Sequence, residues 1–158
     1  MLEALRLHGD LIGKQGSRRQ LNTPALVIDI EALDANIAAM AEFARRHKVA
    51  LRPHSKTHKS ADIARRQIAA GALGVCCAKL GEAEALSEAG IGGLHITSAV
   101  VTPQGIARLM ALNASTRGLS IVVDDAGNVD ALGRAAAAAG QTLNVILDID
   151  PGMHRTGA

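Results

Sequence analysis

The residue best suited to chemistry is Lys56, which lies in a basic turn directly after a short apolar segment. The turn spans residues 52–59 and reads RPHSKTHK, and we predict that a strand over 49–53 leads into it. Neighbouring cations disfavour a further positive charge on the lysine. A lysine held partly neutral attacks an aldehyde carbon, so the turn predicts Schiff-base chemistry. The plain alternative is a solvated basic turn before a helix.

The only two cysteines, Cys76 and Cys77, are adjacent in the chain. A disulfide between neighbours is strained, and zinc ligands are normally spaced by two to four residues. We therefore predict buried strand thiols at this position, with neither a disulfide nor a metal site.

The positive charge of the chain is concentrated in one region. Eight of the 17 Lys and Arg residues lie between Arg45 and Arg66, where Asp62 is the only acid. Nucleic acid is one partner that such a region suits. The chain has no Tyr or Trp and a single Phe to stack on bases, however, so a small anionic ligand fits better.

The composition is that of a globular protein, with 48% hydrophobic and 20% charged residues in 158. No apolar run approaches the length of about 18 residues that a membrane span needs. Residues 1–16 lack the apolar core and the cleavage site of a signal peptide. We expect a cytoplasmic protein with no membrane partner.

Alternating strand and helix patterns must position Lys56. Strands are predicted over 25–29, 49–53, 74–77, 94–97, 119–123 and 143–148, and helices over 31–47, 60–70, 80–89, 103–112 and 125–139. Asp29 and Ser60 are predicted N-caps. The alternation predicts a parallel α/β sheet. No glycine-rich nucleotide-binding loop follows a strand, so we predict a (β/α)8 TIM barrel, whose chemistry lies at the carboxyl ends of its strands.

Three motifs together resemble a known group of enzymes. NTPALVID at 22–29, RPHSKTHK at 52–59 and GMHRTG at 152–157 run in the order seen in the alanine racemase-like, fold-type III pyridoxal-phosphate enzymes. The form RPHxKTHK resembles the D-threonine aldolase and D-serine dehydratase family. GVCCAKLGEAE at 74–84 is similar to that family's next strand and helix, so the resemblance covers about residues 20–158.

The resemblance implies a cofactor and residues that bind it. Lys56 would carry the Schiff base with pyridoxal 5'-phosphate, and Arg155 would hydrogen-bond the phenolic oxygen of that cofactor. His54 is taken as a further cofactor-binding residue. His58, Lys59 and His154 lie in the same motifs and are expected to be solvated or bonded to the backbone.

The resemblance also implies a division of the chain. Residues 1–24 form an N-terminal segment. Residues 25–48 hold a strand that belongs with a C-terminal β-domain, followed by the first helix. Residues 49–158 hold the first five strands of a barrel of the alanine racemase N-terminal type. Such barrels need about 250 residues, so we expect the N-terminal part of a larger protein. We also expect the full-length protein to be a homodimer. The divalent metal site (Mn, Mg or Zn) of the family's aldolases and dehydratases would lie outside this chain, and no metal ligand is predicted within it.

The implied activity is that of a lyase acting on β-hydroxy-D-amino acids. Cleaving the Cα–Cβ bond of D-threonine would give glycine and an aldehyde, and the strand and helix over 74–84 favour this aldolase reading. Dehydration of D-serine or 3-hydroxyaspartate is the alternative within the family. An amino-acid racemase, a non-catalytic pyridoxal-phosphate carrier and a nucleic-acid-binding domain are the remaining alternatives.

Overall fold

The computed structural model describes residues 8–158, which fall into two units, one within residues 1–33 and one over 34–158. The first unit contains two short 3₁₀ helices, Gly9–Leu11 and Ser17–Gln20. The second unit contains the sheet and every residue predicted to do chemistry. Within the described part of the chain no helix is long and apolar enough to cross a membrane.

The five predicted helices are confirmed. They are α1 (Ile30–Arg46), α2 (Ala61–Ala69), α3 (Leu80–Glu88), α4 (Pro103–Ser115) and α5 (Ala126–Ala138). The predicted caps are also confirmed: Asp29 Oδ1 and Ser60 Oγ each accept the backbone N–H three residues on, at 3.0 and 3.3 Å. Each cap satisfies a donor that the first helical turn leaves unpaired.

The sheet is parallel, and its strands follow in chain order. They are β1 (Cys76–Cys77), β2 (His95–Ile96), β3 (Ser120–Val123) and β4 (Asn144–Leu147). Cys76 lies opposite His95, which lies opposite Ser120, which lies opposite Asn144. Each strand is shorter than its predicted span, but the order and direction are those of a β/α barrel.

The predicted strand over 49–53 is wrong as a full strand. Its only bridge to the sheet joins His54 to Cys76. The carbonyls of Leu51 and Pro53 do accept the N–H groups of Leu73 and Cys76, at 2.9 and 2.7 Å. Pro53 has no N–H to return, so the ladder is incomplete.

The predicted strand over 25–29 does not form within the described residues, and its assignment to a separate C-terminal β-domain stays a prediction. These residues pair with no strand within residues 8–158, and the side chain of Leu26 is 96% exposed. An apolar, β-branched segment becomes a strand only when a neighbour completes its hydrogen bonds.

The hydrophobic core lies between the helices and one face of the sheet. Alternate strand residues enter it, namely Val75, Cys77, Leu94, Ile96, Leu119, Ile121 and Val123. Successive side chains on a strand point to opposite faces, so the intervening residues Cys76, His95 and Ser120 share the other face. In a closed barrel the face away from the helices lines the interior. This inner face is therefore polar along the row from β1 to β3.

Candidate active site

The basic turn over residues 52–59, the lysine turn, lies at the edge of the sheet that the carboxyl ends of the strands form. Ser55–Thr57 forms a single 3₁₀ turn, and Lys56 at its centre is exposed. Its side-chain amine has no hydrogen-bond or ion-pair partner within residues 8–158. Among the described residues no side chain therefore competes for the Lys56 amine.

Ser55 anchors the lysine turn to β1. It is 1% exposed, and its hydroxyl donates to the Cys76 carbonyl at 2.8 Å. The Ser55 carbonyl accepts the N–H of Lys59 at 2.7 Å. Ser55 thus attaches the turn to the sheet before Lys56, and the bond from Lys59 closes the turn after it, so the turn is more than a solvated basic loop.

The two cysteines contribute packing at this anchor. Cys77 is fully buried, and burial raises the pKa of its thiol to about 11 although the Ser55 hydroxyl opposes the shift. Burial also raises the pKa of the half-buried Cys76 thiol. A protonated thiol is a poor nucleophile. The prediction of buried strand thiols is confirmed for Cys77, whereas Cys76 is only half-buried.

His54 connects the lysine turn to the end of β2. Its Nδ1 accepts the backbone N–H of Lys56 at 3.3 Å, and its Nε2 lies 3.3 Å from the hydroxyl of Thr97. That hydroxyl donates its hydrogen to the Cys77 carbonyl at 3.1 Å. The Nε2 must therefore carry the proton and donate it to Thr97, which defines a neutral tautomer. Burial, and then the charge of Lys56, lower the pKa of His54 and favour the same neutral state.

A second cluster of polar side chains lies on the inner face of the sheet, below the edge that carries Lys56. His95 Nδ1 lies 2.9 Å from the hydroxyl of Ser120, which also accepts a bond from the Arg52 guanidinium at 3.4 Å. Burial, and then the charge of Arg52, lower the pKa of His95. Sequence reasoning missed both His95 and Thr97. The alternation of side chains within the predicted strands was the signal that could have placed residues 76, 95 and 120 on one face.

Arg155 lies in the loop that follows β4, at the same edge of the sheet. It is exposed and makes no ion pair within the described residues. The structure joins His54 to Lys56 directly, but no hydrogen bond joins Arg155 to either residue. Among residues 8–158 no three His, Cys, Asp or Glu side chains are grouped closely enough to hold a metal ion.

A cavity of about 900 Å³ opens at the opposite edge, before the strands begin. Arg52, Arg65 and Arg117 line it together with glycines of the loops that precede β2 and β3. In β/α barrels the chemistry lies at the carboxyl ends of the strands and the other end serves stability. We therefore place the candidate site at the Lys56 edge, although this cavity is large.

The basic region of the sequence is partly neutralised by acids on the helices. Arg66 pairs with Asp34 at 2.7 Å, and Arg65 pairs with Asp62 at the same distance. Arg45 and Arg46 both pair with Glu42. Half of the eight cations thus have acidic partners, which lowers the positive potential that a nucleic acid would meet.

Known proteins are similar to this chain in sequence. Residues 28–158 match the family model for the alanine racemase N-terminal domain. D-threonine aldolase from Arthrobacter sp is 43% identical over 138 residues, which cover 87% of this chain and 36% of that protein. D-threo-3-hydroxyaspartate dehydratase from Delftia sp. (strain HT23) is 34% identical over 137 residues, with the same coverage.

A solved structure agrees with the fold. The crystal structure of D-threonine aldolase from Filomicrobium marinum aligns with a TM-score of 0.84 at 40% identity, over 87% of this chain and 37% of that one. The chain spans a little over a third of the length of the curated relatives it matches. The resemblance carried by the lysine and arginine motifs and the partial barrel fold are both confirmed, and the chain belongs to the alanine racemase N-terminal domain family.

Proposed function

We propose that this chain forms the cofactor-binding part of a pyridoxal-phosphate-dependent lyase that acts on β-hydroxy-D-amino acids, foremost as a D-threonine aldolase. The free amine of Lys56, in a turn anchored by a buried serine at the carboxyl edge of the sheet, is the observation that carries the proposal. The 43% identity to an aldolase supports it. Because the match covers only part of that relative, the activity of the whole protein is inferred.

The residues at this edge fit pyridoxal phosphate. Lys56 offers an amine without a protein partner, and Arg155 offers a guanidinium without an acidic one within residues 8–158. When bound, the cofactor supplies an aldehyde that condenses with amines and a ring that takes up the electrons of a bond broken at the α-carbon. Lys56 would hold it covalently, Arg155 would bind it without a covalent bond, and His54, expected from the resemblance to bind it too, would act through the Lys56 backbone.

The protein groups have distinct tasks in this scheme. The Lys56 Nζ can hold a proton near the substrate's α-carbon once the substrate has displaced it. The Arg155 guanidinium suits an anionic oxygen because its planar fork donates two parallel hydrogen bonds. His54 is neutral and has both ring nitrogens engaged, so it maintains the position of the Lys56 backbone.

The architecture of the complete enzyme is part of the proposal. Residues 49–158 would supply the first five barrel segments, and residues 25–48 would supply a segment of a separate β-domain and the first helix. Residues outside this chain would complete the barrel and hold a divalent metal that polarises the substrate's β-hydroxyl. The enzyme would act in the cytoplasm as a homodimer on small D-amino acids, without a nucleic-acid partner.

Covalent trapping tests the role of Lys56. The full-length protein is incubated with pyridoxal phosphate, reduced with borohydride and digested, and the labelled peptide is identified by mass spectrometry. We expect the label on Lys56 and its loss in Lys56→Ala. Lys79→Ala, which removes another exposed lysine at the same edge, is the matched control and should keep the label. Label on Lys59 or Lys79 would contradict the assignment.

A dehydratase is the second candidate, favoured by the 34% identity to D-threo-3-hydroxyaspartate dehydratase. Product analysis separates the two when the full-length protein is given D-threonine, D-serine or 3-hydroxy-D-aspartate with a divalent metal. Glycine and an aldehyde support the aldolase. A 2-oxo acid and ammonia without glycine support the dehydratase. In a separate reaction with D-alanine, racemisation without metal dependence and no cleavage of the hydroxy amino acids would reject both.

A further inference from the structure

The carboxylate of Asp150 organises the loop that carries Arg155. One oxygen, Oδ1, accepts the backbone N–H groups of Gly152, Met153 and His154 at 2.8, 2.7 and 3.1 Å. The other oxygen, Oδ2, accepts the His154 N–H at 2.9 Å and lies 3.2 Å from its Nδ1. The Asp150 side chain is only 18% exposed although the three residues that donate to it are exposed, so the carboxylate is partly shielded from water. Three successive amides are thus wrapped around one negative charge.

Backbone contacts close the same loop at its base. The N–H of Ala158 donates to the Asp148 carbonyl at 3.0 Å, and the N–H of Asp150 donates to the Ala158 carbonyl at 3.2 Å. Gly157 has a φ of +106°, and a Cβ there would overlap the backbone nitrogen of Asp150. His154 has a φ of 52°, a backbone conformation that residues other than glycine seldom adopt. Asp150 supports that conformation because it binds the His154 amide with both oxygens.

Arg155 follows directly after the three amides that Asp150 binds. An aspartate five residues away is an obvious partner for a guanidinium, yet no ion pair joins the two. The acceptor sites of Asp150 are engaged by backbone amides and by His154 instead. The backbone path of Arg155 is therefore constrained while its charge stays available.

We propose that Asp150 is a positioning residue that preorganises the Arg155 loop before the cofactor binds. The proposal rests on the proposed role of Arg155 in cofactor binding. Holding the loop in one conformation beforehand lowers the ordering cost that binding would otherwise carry. Asp150 itself need not touch the cofactor.

Amide hydrogen exchange in the cofactor-free, full-length protein tests the loop directly. In Asp150→Ala we expect the peptide covering residues 150–158 to exchange about tenfold faster or more, because charge-assisted hydrogen bonds are lost. Asp130→Asn, which removes an exposed carboxylate from α5, is the control and should leave that peptide unchanged. Unchanged exchange in Asp150→Ala would overturn the proposal. Should that variant not fold, Asp150→Asn, which keeps one acceptor oxygen, takes its place.

A double-mutant cycle on cofactor affinity tests the link to Arg155. Asp150→Ala should weaken the binding of pyridoxal phosphate, measured by absorbance titration, and should weaken it no further once Arg155→Ala is present. Fully additive losses would show that Asp150 acts independently of Arg155 and would refute the positioning role. If Arg155→Ala alone leaves affinity unchanged, the proposed role of Arg155 fails, and the exchange experiment still decides whether Asp150 holds the loop.

Discussion

Replacing Thr97 by valine measures what the hydrogen bonds around His54 contribute to stability. The change exchanges a hydroxyl for a methyl of similar size and removes two bonds, at 3.1 Å to the Cys77 carbonyl and at 3.3 Å to His54 Nε2. The Cys77 carbonyl still accepts the backbone N–H of residue 97 at 2.8 Å, so only the Nε2–H of His54 loses its hydrogen-bond partner. Both bonds are slightly longer than the usual range, so each is weak. Each should contribute about 0.5–1 kcal/mol, and the free energy of unfolding should fall by about 1–2 kcal/mol.

Thermal unfolding of the cofactor-free, full-length protein, followed by circular dichroism, measures this loss. For a domain of barrel size, about 1–2 kcal/mol lowers the midpoint by roughly 2–8 °C. Thr142→Val is the matched control, because this threonine is exposed and its hydroxyl has no hydrogen bond within residues 8–158; its effect should stay within about 0.5 kcal/mol. Thr97→Ser, which keeps the hydroxyl, should retain most of the stability. Equal midpoints for Thr97→Val and Thr142→Val would refute the reasoning.

Three further predictions concern pH, the arginine loop and the arginine itself. Burial lowers the pKa of His54 and of His95 below the ordinary value of 6.5. Near and just below pH 6.5 the unfolded chain therefore binds more protons than the folded chain does. Stability should fall as the pH drops from about 7 to about 5, and a flat profile of thermal midpoints would contradict this. Gly157→Ala should destabilise the protein by about 1–3 kcal/mol through steric overlap, whereas Gly133→Ala in α5 should stabilise it by roughly 0.5–1 kcal/mol; denaturant titration measures both, and equal effects would disprove the overlap. Arg155→Lys should keep the charge but weaken cofactor retention, because lysine lacks the planar fork. Unchanged retention of the cofactor through gel filtration would argue against the proposed role of Arg155.

The helices and the chemical motifs could be predicted from the sequence. The five helices were predictable because their determinants are local: apolar residues repeat with helical spacing, and Asp29 and Ser60 cap helices one to three residues away. The lysine turn and the arginine loop could be recognised as motifs because each is a short, continuous run of residues. The parallel order of β1 to β4 followed from the regular alternation of elements.

Strand pairing depended on tertiary contacts. Segments 25–29 and 49–53 have the composition of strands, but the first has no partner within residues 8–158 and the second has a proline that removes a donor. Strands β1 and β2 extend over two residues each, although longer runs were predicted. A strand is stable only through hydrogen bonds to a neighbour that is distant in the chain, so composition alone overestimates it.

The candidate site likewise has features that can be predicted from the sequence and features that depend on tertiary contacts. Lys56 and Arg155 were identifiable by motif, but the link from His54 to Thr97 joins residues 43 positions apart, and no local pattern contains it. The role of Asp150 was equally hidden, because a carboxylate near an arginine in sequence suggests an ion pair and the folded loop directs it to backbone amides instead. The sequence by itself therefore determined which residue types are available at the site and which helices carry them. Only the tertiary structure decided which of those groups bond to one another, because hydrogen-bond partners depend on distances of a few ångströms that arise when remote segments pack together.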